Sequence, residues 1–220
     1  ALVAVGEDPA SRIYLGRKSA ACAEAGIEVR RLDLAAGTST SAVVERVRAL
    51  GADPSVHGIL VQLPLAPPAD FRAVLEAIPP EKDVDGFHPL NAGRLAQGLP
   101  AIAPATPSGI LELLRHHQIP LAGRHAVVLG RSNIVGRPLA TLLSHKGVDM
   151  TVTLGHSASG PVLRTLAREG ASAVAFDVVS HHLHRVFGQV LGFDALLQLA
   201  GGHLTDAVLE GLTEAPAAAL

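Results

Sequence analysis

The sequence is poor in the residues on which several classes of protein depend. Its 220 residues include no tryptophan, one tyrosine and one cysteine, and aromatic residues make up 3% of them. The single cysteine, Cys22, cannot form an internal disulfide, which indicates a reducing compartment and predicts a cytoplasmic protein. Apolar runs fall short of the roughly 20 residues that span a bilayer, so no membrane partner is expected. The formal net charge is −2, without long basic stretches, so no nucleic-acid partner is expected either.

Small aliphatic residues dominate instead. Hydrophobic residues make up 48% of the chain, mainly Ala, Val and Leu, which favours an α/β protein with aliphatic parallel strands covered by helices. The length is enough for one large domain or two small ones. The chain opens directly on an apolar strand, without an initiator methionine or a basic segment. This start predicts a fragment of a longer protein and no targeting peptide.

The first half alternates strand and helix patterns. Three apolar segments are predicted to form strands: 2–5, 27–34 and 56–65. The segments that follow them are predicted to be helical: 8–26, 38–50 and 69–78. The order β-α-β-α-β implies a parallel sheet with right-handed crossovers. Loops rich in Pro and Gly are predicted over 64–68 and 79–108.

A second α/β unit is predicted to begin near residue 106. Its predicted helices and strands alternate again: 106–118, 125–130, 135–147 and 149–155. We therefore predict a first domain over 1–105 and a Rossmann-like domain over 106–220. The expected fold is two open parallel-sheet lobes around a cleft, with ligands at the carboxyl ends of the strands.

Two residues of the first predicted helix, Tyr14 and Lys18, are four apart and share a helix face. A lysine held there can serve in proton transfer or charge stabilisation; the alternative is a surface lysine beside a half-buried tyrosine. Tyr-x-x-x-Lys is also typical of short-chain dehydrogenases, but there it follows the nucleotide loop, and here it precedes the candidate loop. Gln62 ends the most apolar strand, where its amide is either satisfied internally or reaches a ligand.

The segment EKDVDGFHP places Lys82, Asp83, Asp85 and His88 in one turn. Its Asp-x-Asp-Gly is similar to the start of a calcium loop, but the later glutamate and the flanking helices do not follow. A solvated acidic turn and a ligand site are the alternatives that remain. The eleven histidines, including a run HHLH, have no carboxylate or cysteine at a recognisable ligand spacing. No metal is therefore expected.

The stretch VVLGRSNIVGRPLATLL has the outline of a dinucleotide loop, in which a strand ends at Gly130 and a helix opens at Gly136. Backbone N–H groups at such a helix start favour a phosphate. Arg131 can contact a phosphate in two places, such as the 2′-phosphate of NADP. His156 and Ser157 end the next strand, where they suit a phosphorylated ribose better than the acidic residue that signals NAD. NADP is the predicted cofactor.

Five stretches in this order carry a resemblance: YLGRK, GILVQLPL, PEKDVDGFHPLNAGRL, PATPSGILELL and GRSNIVGRP. Over about residues 1–157 the chain closely resembles the methylenetetrahydrofolate dehydrogenase/cyclohydrolase family of bifunctional folate enzymes. The resemblance implies a folate substrate, transfer of a hydride from 5,10-methylenetetrahydrofolate to NADP⁺, and hydrolysis of the product to 10-formyltetrahydrofolate. It also implies a homodimer built on the nucleotide lobe.

The resemblance assigns roles to single residues. Lys18 would be the catalytic lysine, and Gln62 would hydrogen-bond it and tune its protonation. Tyr14 would line the pterin and aminobenzoate site, and Asp85 would bind the amino edge of the pterin. The residues that would hold the cofactor phosphates or lie beside the 2′ position are Gly130, Arg131, Ser132, His156 and Ser157.

The chain departs from the family pattern in three places. The N-terminal helix of the family is absent, and Ala105 replaces a cysteine. After residue 157 the pattern is altered: one strand–helix unit is expected to be missing between 168–182 and 188–205, and a glycine-rich loop is replaced. Two alternatives follow from this change. One is a reduced member that binds folate or nucleotide with little or no dehydrogenase activity, and the other is a cyclohydrolase alone.

Overall fold

The computed structural model of the chain describes residues 1–156, 158–159, 173–176 and 197–199. The chain divides into two compact units, Ala1–Gly93 and Arg94–Leu220. Each contains helices and a sheet with parallel strands, which confirms the predicted α/β class. Among these described residues, no helix is both long and apolar enough to cross a bilayer.

The first unit is built on a three-stranded parallel sheet. Its strands are β1 (Leu2–Val5), β2 (Arg31–Leu34) and β3 (Leu60–Val61), in the order β2-β1-β3. The helices between and after them are α1 (Pro9–Glu24), α2 (Thr40–Ala52) and α3 (Phe71–Glu76). Helix α1 starts here because the Asp8 carboxylate accepts a hydrogen bond from the Ser11 backbone N–H at 2.7 Å and Pro9 occupies the first turn.

The alternating side chains of β1 give this sheet two covered faces. Leu2 and Ala4 pack with Leu15 of α1. Val3 and Val5 belong to a larger cluster with buried residues of α2, β3, α3 and the adjoining loops: Val43, Val47, Val56, Ile59, Val61, Val74, Leu75 and Ile78. Burial on both faces is the reason that β1 is a continuous apolar run in the sequence.

Two predicted strands are shorter in the structure. The segment 27–34 forms a strand only from Arg31, because the register pairs Leu2 with Arg31 and the ladder begins there. The segment 56–65 contributes only Leu60 and Val61 to the sheet. Ile59 instead bridges to Asp83, so the chain before β3 pairs with a loop rather than with β1.

The predicted loop over 79–108 is wrong in its middle part, which contains a short 3-10 turn (Pro80–Lys82) and helix α4 (Pro89–Ala96). Pro89 suits the first helical position, where its missing N–H is not needed. The ring Nδ1 of His88 accepts a hydrogen bond from the Leu90 N–H at 3.1 Å and so helps to cap the start. The two glycines in NAGRLAQG lower the helix propensity of this segment, which is why the sequence did not predict the helix.

The second unit contains a four-stranded sheet in the order β5-β4-β6-β7. Its strands are β4 (His125–Leu129), β5 (Thr151–Gly155), β6 (Ala173–Phe176) and β7 (Leu197–Leu199). The first three are parallel, whereas β7 pairs antiparallel with β6. Strand β6 lies within 168–182, the segment that is expected to correspond to a strand of the family.

Helices α5 (Ala105–His116) and α6 (Gly136–Ser144) cover one face of β4. Their buried side chains form one cluster with the strand: Ile110, Leu111, Leu114, Ala126, Val128, Leu139 and Leu143. This core fixes the loop between β4 and α6 at both ends. The predicted boundary at residue 105 coincides with the start of α5, whereas the compact units divide after Gly93.

Candidate functional site

Helix α1 and the end of β3 bring Lys18 and Gln62 together. Lys18 Nζ donates a hydrogen bond to Gln62 Oε1 at 3.2 Å, across 44 residues of sequence. Both side chains are partly buried. This is the contact that the resemblance implies between the two residues. Lys18 is therefore not a free surface lysine, which was the alternative from its spacing.

The backbone carbonyl of Leu63 orients the Gln62 amide. Gln62 Nε2 donates to Leu63 O at 2.8 Å, and the hydroxyl of Ser11 donates to the same oxygen at 3.2 Å. With its nitrogen engaged by a carbonyl, Gln62 must present its oxygen to the lysine. Ser11 is 8% exposed and lies two turns before Lys18 on helix α1. It is a site residue that the sequence reading missed, although its i, i+7 spacing from Lys18 could have indicated it.

Asp85 lies within electrostatic range of this pair. Burial raises the pKa of the Asp85 carboxyl above its ordinary value of 3.8, the positive charge of Lys18 acts in the opposite direction, and Asp83 raises it further. Apolar side chains share the hollow that Asp85 lines, which explains the loss of hydration: Ile59, Val61, Phe71, Leu75, Ile78 and Phe87. A carboxylate held in such surroundings gains strongly from a ligand that donates hydrogen bonds to it.

The turn that carries Asp85 is not a solvated acidic loop. Asp83 is 1% exposed, and its Oδ2 accepts hydrogen bonds from the His88 N–H at 2.8 Å and Asn91 Nδ2 at 3.0 Å. Lys82 Nζ donates to Gly51 O at 2.7 Å and to Asp53 O at 2.8 Å, at the end of α2. Asp83 and Lys82 thus make hydrogen bonds that hold the turn. Asp85 is close enough to Lys18 for the lysine charge to act on its carboxyl group.

Tyr14 lies on α1 four residues before Lys18 and is 56% exposed. The half-buried tyrosine of the alternative interpretation is therefore not what the structure shows. An exposed ring on the face that carries Lys18 can stack against a flat ligand without first leaving a packed core. Its assigned role in lining the pterin site stays a prediction.

Hydrogen bonds of Gly130 and Ser132 hold the loop between β4 and α6 in its conformation. Gly130 has a φ of 118°, a value that favours glycine, and its N–H donates to Gly155 O at 2.8 Å. Ser132 Oγ accepts the Val135 N–H at 2.9 Å, and Ser132 O accepts the Arg137 N–H at 3.0 Å. Ser132 therefore fixes the start of α6, where the backbone donors of a helix end lie.

Arg131 and His156 meet beside this loop. Arg131 Nη1 lies 3.3 Å from His156 Nε2, while His156 Nδ1 lies 3.2 Å from the Ala158 backbone nitrogen. Because arginine only donates, Nε2 is the acceptor in its contact with Arg131. A guanidinium has five N–H donors, so Arg131 keeps donors for an anion beside this loop. Ser157, predicted beside them, lies outside the described residues.

Among the described residues, no group of three or more His, Cys, Asp or Glu side chains is arranged to hold a metal ion. The HHLH run at 181–184 lies outside them.

Two family models match the chain. The model described as tetrahydrofolate dehydrogenase/cyclohydrolase, catalytic domain, matches residues 1–85, and the one for the NAD(P)-binding domain of the same family matches residues 104–178. The chain belongs to the tetrahydrofolate dehydrogenase/cyclohydrolase family. The two matches contain the Lys18–Gln62–Asp85 group and the Arg131–His156 loop, respectively.

Relatives within the tetrahydrofolate dehydrogenase/cyclohydrolase family are similar over most of this chain. The "Bifunctional protein FolD" of Methanospirillum hungatei is 54% identical over 157 residues, which cover 71% of this chain and 56% of that protein. The protein of the same name from Parvibaculum lavamentivorans is 49% identical over 175 residues, 80% of this chain and 58% of that protein. The chain thus spans just over half the length of the curated relatives it matches.

Solved structures of the tetrahydrofolate dehydrogenase/cyclohydrolase family share the fold. The bifunctional FolD enzyme from Campylobacter jejuni superposes with a TM-score of 0.77 at 38% identity, covering 83% of this chain and 64% of that one. The Trypanosoma brucei enzyme, described as complexed with NADP cofactor and inhibitor, gives a TM-score of 0.74 at 35% identity over 80% of this chain and 59% of that one.

Proposed function

We propose that this chain is an NADP-dependent methylenetetrahydrofolate dehydrogenase and methenyltetrahydrofolate cyclohydrolase. It oxidises 5,10-methylenetetrahydrofolate to the 5,10-methenyl cation and hydrolyses the cation to 10-formyltetrahydrofolate. Residues 1–105 bind the folate, and residues 106–220 bind NADP. The observation that carries the proposal is the Lys18–Gln62 hydrogen bond within electrostatic range of Asp85, in a chain whose relatives are named bifunctional FolD proteins.

Asp85 selects the pterin. The amino edge of a pterin offers two adjacent N–H donors, and a carboxylate can accept both at once. Burial makes the charged form of Asp85 costly in the ligand-free chain, because the carboxylate has lost hydrogen bonds to water. The two N–H donors of the pterin replace those hydrogen bonds. Tyr14, exposed on α1, stacks on the same ligand.

The oxidation removes a hydride from the methylene bridge, and bound NADP⁺ supplies the acceptor for it. The residues of this chain act by placing the folate. Asp85 holds one end of the pterin, and Lys18, fixed by Gln62, lies beside the reacting end. Such positioning is the main contribution a protein can make to a hydride transfer.

The hydrolysis needs a proton acceptor beside a cation. Water attacks the methenyl carbon, and a C–O bond forms. One proton of that water passes to Lys18 Nζ in its neutral form. The other passes to the ring nitrogen as the ring C–N bond opens, which leaves the formyl group on the second nitrogen. Gln62 Oε1 holds Nζ at 3.2 Å, so that the amine keeps its place through the transfer.

The loop around Arg131 fits a phosphorylated nucleotide. Gly130 and Ser132 shape the start of α6 for a diphosphate, and Arg131, held beside His156, supplies N–H donors for a 2′-phosphate. His156 and Ser157 belong to the same proposed set. NAD has no 2′-phosphate, so its ribose would leave the Arg131 guanidinium without an anionic partner.

We also propose a cytoplasmic location and a homodimer. The location is supported by the single cysteine of the chain, which suits a reducing compartment. The homodimer is supported by family resemblance. Size measurement by light scattering tests the second point: a monomer at micromolar concentration would contradict it.

Turnover by the chain tests the proposed function. Reduced cofactor is followed spectroscopically with methylenetetrahydrofolate and NADP⁺, and methenyltetrahydrofolate hydrolysis is followed without cofactor. Lys18→Ala is expected to lower the hydrolysis rate by at least about a hundredfold, the usual contribution of general base catalysis. Arg17→Ala, which removes an exposed cation from the same helix, is the matched control and should leave both rates near those of the parent. A parent chain without turnover above blank would contradict the proposal.

Cofactor preference is tested separately. Arg131→Ala should weaken NADP binding about tenfold or more and leave NAD binding nearly unchanged, since only NADP carries the extra phosphate. Arg124→Ala removes an exposed arginine just before β4, at the opposite end of that strand from the loop. It should change neither affinity. Equal loss of both nucleotides in Arg131→Ala would exclude the 2′-phosphate contact.

A further inference from the structure

Asp83 is a buried carboxyl group for which the proposed reaction has no direct use. It is 1% exposed and two residues from Asp85 in the same turn. Both of its described acceptor contacts reach forward to α4: the His88 N–H at 2.8 Å and Asn91 Nδ2 at 3.0 Å, each onto Oδ2. Burying a carboxyl group is costly unless hydrogen bonds compensate it, so its place here calls for a reason.

Asn91 continues the connection. It is 5% exposed, and its Nδ2 also donates to Pro80 O at 2.8 Å. One amide group therefore joins the beginning of the turn at Pro80 to the carboxylate of Asp83. On the other side, Ile59 N–H donates to Lys82 O at 2.7 Å, and Ile59 bridges to Asp83. The short segment that carries Asp85 is thus held on one side by Ile59, just before β3, and on the other by Asn91 of α4.

We propose that Asp83, through Asn91 and the start of α4, is a positioning residue that sets the Asp85 carboxyl for the folate. The inference rests on the proposed function, because it concerns how that site is held. Asp83 has two separable effects in this role. Its hydrogen bonds fix the backbone of the turn, and its negative charge acts directly on Asp85.

The electrostatic effect has a defined sign. The described charged groups that act on Asp85 are Lys18, from α1, and Asp83; the β3, α3 and neighbouring side chains that line the same hollow are otherwise apolar. A second negative charge disfavours ionisation of Asp85. Removing the charge of Asp83 while keeping its shape should therefore lower the pKa of Asp85. Because the pterin edge needs the ionised carboxylate, folate binding should then persist to lower pH.

Three variants separate these effects. Asp83→Asn keeps an acceptor oxygen for His88 and Asn91 and removes the charge. Asp83→Ala removes both. Glu81→Gln removes an exposed negative charge from the same turn and is the matched control. The measurements are KM and kcat for methylenetetrahydrofolate as a function of pH, and the titration of the Asp85 carboxyl carbon by NMR in the ligand-free chain.

Asp83→Ala is expected to raise the folate KM at least about tenfold with a smaller change in kcat, since it weakens binding rather than the chemical step. Asp83→Asn should keep the neutral-pH KM within about threefold of the parent, while both the acid limb of kcat/KM and the Asp85 titration move to lower pH. Glu81→Gln should shift neither by a comparable amount. If Asp83→Ala does not fold, Asp83→Asn decides the question.

An Asp85 titration in Asp83→Asn that matches the parent would overturn the proposal, as would an unchanged KM in a folded Asp83→Ala. Failure of the proposed function has a different outcome. A parent chain without turnover would contradict that function alone, since the NMR titration needs neither substrate nor cofactor.

Discussion

At the scale of single residues, the ionised form of Asp85 that the proposed folate contact needs is the form that destabilises the folded chain. The group must be ionised to accept the two donors of a pterin, yet burial raises the pKa of its carboxyl. A carboxyl group whose pKa is higher in the folded than in the unfolded chain is more easily ionised after unfolding. Its ionisation therefore favours the unfolded state, and stability from this group falls as pH rises from its ordinary value of 3.8 through the raised value.

Asp85→Asn tests this opposition. The variant should be no less stable than the parent near pH 4 and increasingly more stable as pH rises, with a constant difference above the raised pKa. Folate binding should meanwhile fall by at least about a hundredfold, because an amide cannot accept two N–H donors as a carboxylate does. Urea unfolding at several pH values and calorimetry with folate measure the two effects. A variant less stable than the parent at pH 7 would contradict the sign.

Ser11 offers a second test at this scale. Ser11→Ala removes the hydroxyl from Leu63 O and leaves Gln62 as the side-chain donor to that oxygen among the described contacts. The cost to stability should be about 1 kcal/mol, and cyclohydrolase turnover should fall about 2- to 10-fold as the Gln62 amide becomes less strictly oriented. Ser19→Ala is a matched control on α1, because the buried Ser19 hydroxyl has no hydrogen-bond partner among the described residues. Urea unfolding and initial-rate measurements should show that this control keeps the stability and the cyclohydrolase turnover of the parent.

The sequence predicts which residues belong to the candidate site better than it predicts their hydrogen-bond partners. Lys18, Gln62 and Asp85 stand in motifs long enough to be identified by resemblance, and the structure brings them into one group. The shared acceptor at Leu63 was not predictable, since it depends on a backbone carbonyl, which has the same chemistry in every residue. Burial of Asp83 was hidden for a related reason: its partners lie on a helix that the pattern did not predict.

At the scale of elements, most helices and strands were predicted close to their observed bounds, whereas β2 and β3 were predicted too long and α4 was not predicted. Helices α1, α2 and α5 have clear starts in Asp8, Ser39 and Pro104, and each was predicted within a few residues. Strand β3 is short because Ile59 pairs with the Asp83 loop, a long-range contact that no local pattern contains. Helix α4 depends on tertiary hydrogen bonds at its start rather than on propensity.

The turn that contains Lys82, between α3 and α4, gives a prediction at this scale. Lys82 Nζ donates to two carbonyl oxygens at the end of α2, where a cation is favoured by both hydrogen bonds and helix dipole. Lys82→Met should lower the free energy of unfolding by about 1–3 kcal/mol and raise the folate KM, because the Asp85 turn loses its attachment to α2. Lys146→Met removes an exposed lysine and should do neither. Denaturant unfolding and steady-state kinetics test both variants.

At the scale of the whole molecule, each of the two units has a main hydrophobic core of its own among the described residues. One surrounds β1 and contains Val3, Val43 and Val74, and the other surrounds β4 and contains Leu114, Leu139 and Leu143. The residues proposed to bind folate belong to the first unit, and the loop proposed to bind the nucleotide belongs to the second. Because each unit has its own core, a mutation that destabilises one core should first weaken binding of the ligand proposed for that unit.

Truncation of Leu139 tests this separation. Leu139 is fully buried between α6 and β4, so Leu139→Ala should cost the second unit about 2–5 kcal/mol. We expect faster amide exchange in β4 and weaker NADP binding, because the proposed phosphate loop ends at the start of α6. Exchange in β1 and folate binding should stay near their parent values. Leu154→Ala, at a β5 position that is 37% exposed, should leave both exchange rates nearly unchanged. Equal loss of protection in β1 and β4 on truncation of Leu139 would show that the chain unfolds as one cooperative unit.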